Sequence, residues 1–208
     1  MILNLIEGVN VAGGRQRDFE INEALEQAMH LFWKKGFVGA SLADLTASMG
    51  INKPSLYATF GNKEDLFVQA MAHYLENEAA SHFVLLTSEN KTLQERLRAY
   101  LQSLTKMLCA TKKPGGCFVA LLNGELVGET LPDKARQAVI DANSSSEKSL
   151  IRFFQSEKAK GNLQDETNVD DLALYIVTLI HGMAAMARSG KSEGQIFKVI
   201  DRALRAMI

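Results

Sequence analysis

The fold is decided by residues 41–66, which read SLADLTASMGINKPSLYATFGNKEDL. Ser41 opens a Ser-x-x-Asp sequence, a pattern that caps the start of a helix. We expect that helix to end at Gly50, because glycine adopts the left-handed backbone of a tight turn without a steric penalty. Asn52 can cap the next helix, and Pro54 is tolerated in a first turn, where its missing N–H has no partner. The stretch therefore predicts two short helices joined by a tight turn.

The two short helices have an apolar side and a polar side. Leu45 and Leu56 are placed to pack on Phe32, which belongs to a longer helix predicted over residues 20–35. The outward face of the second short helix is then small, polar and rich in hydrogen-bond donors, and consists of Lys53, Ser55, Tyr57 and Thr59. Such a face suits a helix lying in the major groove of DNA, which is about 12 Å wide.

The remainder of the chain is also helical by periodicity and capping signals. Further helices are expected over residues 63–80, 92–109, 117–126, 132–161, 168–188 and 192–208, with a kink allowed at residues 143–146. No alternating strand pattern of useful length is present. The prediction is an all-α fold of about nine helices. A DNA-binding unit over residues 15–66, with a connecting fourth helix to about residue 80, precedes an effector-binding and dimerisation unit over residues 81–208.

Composition excludes several classes of protein. The 208 residues are 47% hydrophobic and 23% charged, which is too apolar for a disordered chain. The net charge of −1 argues neither for nor against nucleic acid. Two cysteines do not make a disulfide framework, so a reducing cytoplasm is expected. The longest apolar stretch, residues 172–187, is shorter than the roughly 20 residues that cross a bilayer, so it predicts a buried helix and no membrane contact.

The sequence carries no convincing catalytic or metal site. A glycine-rich phosphate loop, a His-x-x-x-His pair and a Cys-x-x-Cys pair are all missing, and Glu125 and Glu129 stand alone. No cofactor and no metal are therefore expected. Two other classes stay open at this point: an all-α enzyme, and a helical module whose helix-turn-helix contacts protein. Enrichment of a palindromic site from genomic fragments would separate a DNA-binding protein from both.

Residues 50–66 resemble the signature of the TetR family of transcriptional regulators. The resemblance lies in the Leu-Tyr-x-x-Phe of residues 56–60, followed by the Asn-Lys-Glu-x-Leu of residues 62–66, and residues 28–41 match as well. It implies a homodimer that binds a palindromic operator in double-stranded DNA. It further implies a repressor that a small-molecule effector of unknown identity releases from DNA.

The resemblance also assigns roles to individual residues. Tyr57 and Lys63 would bind backbone phosphates, the latter helped by the positive end of a helix dipole. The positions that would touch phosphates or base edges are Ser41, Lys53, Pro54, Ser55 and Thr59. Arg15 and Arg17 could form an arm that reaches phosphates or the minor groove, or could be an ordinary exposed terminus. No role is predicted for residues 1–13.

Charge in the DNA-binding unit predicts a modest dependence of affinity on salt. Residues 1–66 hold six basic and eight acidic side chains. Few phosphate contacts are therefore expected. Because each contact adds roughly 0.9 to the log–log salt slope, the slope should not exceed about ten per dimer.

Two apolar helices at the end of the chain predict a dimer interface formed as a four-helix bundle with a second copy. Its residues would be Leu172, Ile176, Leu179, Met183, Ile196, Val199, Ile200, Ala203 and Leu204. The alternative is that both apolar faces lie inside one chain. A dimer is favoured because two recognition helices read two half-sites.

The preceding helices are expected to enclose an effector cavity. Its candidate residues are Leu104, Met107, Leu108, Cys117, Phe118, Leu121, Phe153, Tyr175 and His181. His181 could instead be a core histidine bonded to a backbone carbonyl. Cys117 follows Pro-Gly-Gly at a helix start, where the dipole favours the thiolate, and is hypothesised to be a reactive sensor. The alternative is that Cys117 and Cys109 are small buried hydrophobic residues.

Overall fold

The computed structural model describes the backbone of residues 11–207 and the side chains of residues 20–207. Within these residues every regular element is helical, which confirms the all-α prediction. The helices are α1 (Val11–Gly39), α2 (Leu42–Met49), α3 (Lys53–Phe60), α4 (Lys63–Tyr74), α5 (Ala80–Phe83), α6 (Leu93–Leu108), α7 (Phe118–Val127), α8 (Asp133–Ala159), α9 (Val169–Arg188) and α10 (Glu193–Met207).

Helices α4 and α5 belong to one continuous rod. A π-helical turn (Leu75–Ala79) joins them, and a 3₁₀ turn (Val84–Thr87) follows. The backbone stays in the right-handed helical region at the junctions, Tyr74, Ala80 and Val84. With the rod counted once, the described residues form nine helices, the number expected from the sequence. The π-turn has no signal in the sequence.

Two long helices differ from their expected form. Helix α1 begins at Val11 rather than Glu20, and its backbone leaves the helical region at Gly36 (φ 73°, ψ −179°). Helix α8 runs from Asp133 to Ala159 without the kink that its Asn-Ser-Ser-Ser run allowed. Ser146 Oγ donates to the carbonyl oxygen of Ala142 (3.2 Å), one turn earlier, so its hydroxyl is satisfied within the helix.

The buried apolar side chains form two clusters. The first joins α1–α4 to α7 and the first half of α8, and its centre is a set of edge-to-face aromatic contacts. The second joins α6, α9 and α10 to the second half of α8. Because α7 packs directly on α1, the DNA-binding unit and the C-terminal unit share one core at this point.

A buried ion pair ties α6 to α8 within the second cluster. Arg96 and Glu157 form a bidentate pair in which Arg96 Nη1 lies 3.0 Å from Glu157 Oε1. Their side chains are 6% and 1% exposed. Arg96 also donates to the carbonyl oxygen of Leu86 (2.8 Å), and Asn162 donates to Glu157 Oε2 (2.8 Å). The pair therefore replaces most of the hydration that both charges lose on burial.

Helix α9 is long and apolar enough to cross a membrane by length and composition alone. The core helix of a globular protein passes the same test. Ile176 and Met183 of this helix are buried in the second cluster, and the helix packs against α6, α8 and α10. Part of its apolar surface is thus used in packing within the fold, while Leu174, Tyr175 and Met186 are exposed on its other side.

Candidate DNA-binding surface and effector cavity

Helix α3 presents a polar face to solvent and is held in place by two buried side chains. Leu56 is fully buried and Phe60 is 4% exposed. The side chain of Asn52 caps the helix by accepting a hydrogen bond from the backbone N–H of Ser55 (2.9 Å). The predicted DNA-contacting residues of α3 are all exposed, namely Lys53, Pro54, Ser55, Tyr57 and Thr59.

Tyr57 projects from this face with its ring supported by a neighbour. Its side chain is 44% exposed. Lys53 Nζ lies 5.8 Å from the ring centroid, one helical turn earlier. A phenol held in this way can donate its hydroxyl proton to a phosphate, and the ammonium group adds positive charge beside it.

Helix α2 begins with a capping box formed by Ser41 and Asp44, and Ser41 is also a predicted DNA contact. Ser41 Oγ accepts from the backbone N–H of Asp44 (3.1 Å), and Asp44 accepts from the backbone N–H of Ser41. Lys35 Nζ lies 2.9 Å from Asp44 Oδ2 and, with Ser41, lowers the pKa of Asp44 to about 2.

Lys63, the other predicted phosphate ligand, begins α4 and is half-buried in this structure. Its Nζ lies 4.3 Å from the ring centroid of Phe37, and burial lowers its pKa. Glu125 of α7 lies near this ammonium group and raises its pKa, and Glu125 Oε2 accepts from the backbone N–H of Phe37 (3.1 Å). To bind a phosphate, Lys63 must turn away from Phe37. The side chains of Arg15 and Arg17 lie outside the described residues.

The C-terminal unit contains a cavity of about 260 Å³ between α4, α5, α6, α8 and α9. Five of the predicted ligand residues line it: Leu104, Met107, Leu108, Cys117 and His181. The other lining residues are Tyr74, Leu75, Ala79, Ala80, Phe83, Tyr100, Val119, Ser145, Ser146, Ser149, Leu150, Val177 and Ile180.

The remaining four predicted ligand residues do not line the cavity. Phe118 is fully buried between the rings of Phe67 and Tyr74 in the first cluster. Leu121 and Phe153 are half-buried elsewhere, and Tyr175 is 41% exposed on α9. Hydrophobic periodicity could not separate these residues from the lining, because it does not show which neighbour an apolar face meets.

The cavity holds few polar groups, and most have unused hydrogen-bonding capacity. The hydroxyl of Tyr100 and both ring nitrogens of His181 have no hydrogen-bond partner among the described residues. His181 is therefore not bonded to a backbone carbonyl. Burial lowers the pKa of His181 and raises that of Tyr100, so both are neutral near pH 7.

Cys117 lies at the N-cap of α7, as its predicted position at a helix start requires. It is half-buried and lines the cavity, and its Sγ accepts a hydrogen bond from the Tyr74 hydroxyl (3.3 Å). Cys109 ends α6, with Sγ 3.7 Å from the carbonyl oxygen of Lys191, and burial raises its pKa. Both thiols are free. Within the described residues, no cluster of three His, Cys, Asp or Glu side chains could hold a metal ion.

Most of the predicted dimer residues lie inside their own chain. Six of them are at most 7% exposed: Ile176, Met183, Ile196, Ile200, Ala203 and Leu204. Side chains packed in this way are not available to a second copy of the chain, which leaves the other side of α9 and α10 as the candidate for an interface. That side, here called the dimer face, exposes Leu174, Tyr175, Met186 and Val199. Leu172 and Leu179 are half-buried beside it.

Family models match both parts of the chain. Residues 24–70 match the model described as "Bacterial regulatory proteins, tetR family". Residues 94–207 match the model described as "Tetracyclin repressor-like, C-terminal domain". The first match contains α2 and α3 together with most of α4, and the second begins at α6 and contains the remaining helices.

Characterised relatives are similar over most of their length. The HTH-type transcriptional repressor ComR of Escherichia coli (strain K12) is 31% identical over 197 residues, which cover 95% of this chain and 93% of ComR. The repressor BdcR of the same strain is 30% identical, over 88% of this chain and 86% of BdcR.

Solved structures agree with these relatives. A cysteine mutant of the TetR-family regulator CifR, complexed with 26-bp double-strand operator DNA, has a TM-score of 0.80 and 32% identity, over 89% of this chain and 95% of that one. Reduced NemR of E. coli shares the fold at a TM-score of 0.74 and 20% identity, over 91% of this chain and 94% of NemR. Taken with the exposed polar face of α3, these matches show that the chain belongs to the TetR family of DNA-binding transcriptional regulators.

Proposed function

We propose that this regulator is a cytoplasmic repressor that binds a palindromic operator as a homodimer and leaves it when the C-terminal cavity is occupied. Residues 15–66 form its DNA-binding unit, with the fourth helix connecting it to the effector-binding and dimerisation unit over residues 81–208. The family acts through dimers, and the relatives ComR and BdcR are both described as repressors.

The observation that carries the proposal is the outer face of α3. It is exposed, rich in donors and held rigidly by buried Leu56 and by the Asn52 cap. A rigid helix of this kind places its side chains against base edges, while Tyr57 and Ser41 bind the phosphates on either side. Two such helices, related by the two-fold axis of a dimer, would read two half-sites.

Release would depend on elements that the cavity and the DNA-binding unit share. Tyr74 and Leu75, at the middle of the α4–α5 rod, line the cavity, and the same rod begins beside α3 at Lys63. Helix α7 lines the cavity through Val119 and reaches Phe37 through Glu125. An occupant that favours a different position of either element would change the spacing of the recognition helices. It can do so only by its differential affinity for the two states.

The test of DNA binding begins with genomic fragments captured on the purified protein. We expect enrichment of one palindromic site, and failure to enrich any sequence would contradict the proposal. On that site, Tyr57→Phe should weaken binding about ten- to a hundredfold per dimer, since it removes a charge-assisted contact from each half. The loss should be similar on unrelated DNA, because phosphate contacts carry no sequence information. Thr87→Val, which removes an exposed hydroxyl from the 3₁₀ turn after α5, should bind like the wild type.

A second trigger is favoured by the position of Cys117. Its sulfur would attack an electrophilic carbon that enters the cavity and form a C–S bond. In a substitution the leaving group departs with its electron pair, and in an addition the electrons of the broken π bond move onto the neighbouring carbon, which takes up the thiol proton. A partly exposed thiol at a helix start, with a hydroxyl donor on its sulfur, is suited to this chemistry.

Alkylation with N-ethylmaleimide tests this trigger. The thiol of Cys117 adds across the carbon–carbon double bond of the maleimide, so no further reactant is needed. The wild type and Cys109→Ser should lose operator affinity after treatment, whereas Cys117→Ser should keep it. The trigger is refuted if modified Cys117 leaves affinity unchanged, or if the reagent does not reach Cys117.

A further inference from the structure

We propose that the cavity binds an uncharged, mostly apolar molecule with a hydrogen-bond acceptor oxygen, and that the hydroxyl of Tyr100 donates to this oxygen. The inference rests on the proposed function only in treating the cavity as the effector site. It adds the class of effector and the residue that selects it.

The lining of the cavity excludes a charged occupant. Among the side chains that the structure describes, no Asp, Glu, Lys or Arg lines it, and the walls are mainly leucine, isoleucine, valine, alanine and aromatic side chains. His181, the one lining side chain that could carry a positive charge near pH 7, is kept neutral because burial lowers its pKa. An ion moved into such a site would lose its hydration without gaining a counter-charge.

Tyr100 is a buried donor with no partner. The residue is 4% exposed, lines the cavity, and makes no hydrogen bond with any described residue. Its ring packs edge-on against Phe83 at a centroid distance of 5.3 Å, and this contact fixes the position of the hydroxyl group. A ligand oxygen in the cavity would supply the acceptor that this hydroxyl lacks within the protein.

Two of the other four hydroxyls of the lining already donate within the protein, and Ser145, which is exposed, makes no hydrogen bond with a described residue. Tyr74 donates to Cys117 Sγ, and Ser146 donates to the carbonyl oxygen of Ala142. Ser149 accepts from Arg152 Nη2 (3.0 Å), which leaves its own proton available at a second point. Among these groups Tyr100 is the most buried donor with nothing to donate to, and it therefore discriminates most strongly between an oxygen acceptor and a hydrocarbon.

The volume of the cavity limits the size of the occupant. About 260 Å³ lies just below the roughly 300–1,000 Å³ range of most ligand sites. A fused bicyclic compound with a short substituent is a suitable probe of this space. Four naphthalenes of nearly equal shape vary the substituent: 2-acetylnaphthalene, 2-isopropenylnaphthalene, 2-naphthoate and 2-naphthamidine.

Titration calorimetry of the full chain without DNA tests the ligand class directly. We expect 2-acetylnaphthalene to bind about fivefold more tightly than 2-isopropenylnaphthalene, which has CH₂ in place of the carbonyl oxygen, and the two ions to bind at least about tenfold more weakly than the ketone. Tyr100→Phe should weaken ketone binding about fivefold and leave alkene binding unchanged. Thr87→Val, the control that removes an exposed hydroxyl outside the cavity, should change neither.

Three results would overturn the inference: binding of either ion as tight as that of the ketone, an equal effect of Tyr100→Phe on ketone and alkene, or no binding of any probe. A parallel operator-release assay separates this inference from the proposed function. If the ketone binds as expected but does not release DNA, repression by effector release fails and the ligand class stands. If 2-naphthoate binds the cavity tightly and releases DNA, the ligand class fails and the repressor mechanism stands.

Discussion

Gly36 is the residue at which the DNA-binding unit meets α7. Its backbone (φ 73°, ψ −179°) lies in a region that is essentially restricted to glycine. A Cβ at this position would overlap the carboxylate of Glu125, the group that accepts from the Phe37 N–H. Two constraints therefore act on one residue, and both serve the contact between α1 and α7.

Gly36→Ala should destabilise the protein by about 3 kcal/mol or more, since backbone strain and the displaced Glu125 add together. Gly50→Ala provides the comparison. Gly50 also has a positive φ (66°), but its ψ of 23° is the ordinary left-handed region and no atom lies within 4 Å of the added Cβ. Gly50→Ala should lower the free energy of unfolding by only about 1–2 kcal/mol. Urea unfolding measures both free energies, and equal losses would contradict this account of Gly36.

The buried pair Arg96–Glu157 gives stability a pH dependence of known sign. The hydrogen bonds from Arg96 lower the pKa of Glu157 to about 2 from an ordinary 4.5. A lowered carboxyl pKa adds stability that is complete above pH 4.5 and is lost as the pH falls towards 2. Glu157→Gln should therefore cost about 3–5 kcal/mol at pH 7, and the difference from wild type should shrink between pH 4.5 and 2.

Asp201→Asn is the matched control for this prediction. Its carboxylate pairs with Arg98, but the two side chains are 42% and 35% exposed. The substitution should cost less than about 1 kcal/mol, because water screens exposed pairs. Thermal unfolding at several pH values compares the variants, and a pH-independent difference between Glu157→Gln and wild type would contradict the linkage.

At the scale of the element, the short helix α3 depends on its cap more than a long helix does. Asn52 caps a helix of 8 residues, whereas Asn168 caps α9, which has 20. Both side chains accept from backbone N–H groups of the first turn. Isolated short helices are marginal, so the local order of α3 rests on its cap and on the burial of Leu56 and Phe60.

Asn52→Ala and Asn168→Ala should each cost about 1 kcal/mol of global stability. Only Asn52→Ala should weaken operator binding, because it loosens the helix that meets the DNA. Denaturant unfolding and an operator titration separate the two effects. A similar loss of operator affinity in Asn168→Ala would show that α3 does not depend specifically on its own cap.

Elements with local signals were predicted well from the sequence. Helices α2 and α3 begin and end as expected, since Ser41, Gly50 and Asn52 act within a few residues of themselves. The start of α1 was misplaced because the apolar spacing that predicted the helix begins only at Ile21. The π-turn and the uninterrupted course of α8 were not predicted, because hydrophobic spacing and capping residues do not encode either feature.

At the scale of the whole molecule, we expect a second copy of the chain to cover the dimer face. Four large apolar side chains that are 41–53% exposed lie there on α9 and α10. The sequence showed that α9 and α10 each have more apolar surface than packing on one side of a helix requires. It could not show which side faces the chain's own core, and the same ambiguity left Tyr100 and the α8 serines out of the predicted cavity.

Val199→Glu should convert the dimer to a monomer and reduce operator affinity by more than a hundredfold, because a carboxylate would be buried against its own copy across the two-fold axis. Val84→Glu is the control, since Val84 is 66% exposed and lies away from α9 and α10. The Val84→Glu protein should remain a dimer. Sedimentation velocity distinguishes the two, and a dimeric Val199→Glu protein would place the interface elsewhere.

Trp33 is placed to serve as an intrinsic fluorescence probe of the cavity. It is the single tryptophan of the chain, is fully buried, and meets the Tyr74 ring edge-on at a centroid distance of 5.0 Å. Tyr74 in turn touches both the cavity and the Cys117 sulfur. The fluorescence emission of Trp33 should therefore shift when a ligand occupies the cavity or when Cys117 reacts. Stopped-flow fluorescence can then follow the rates of both events without an attached dye.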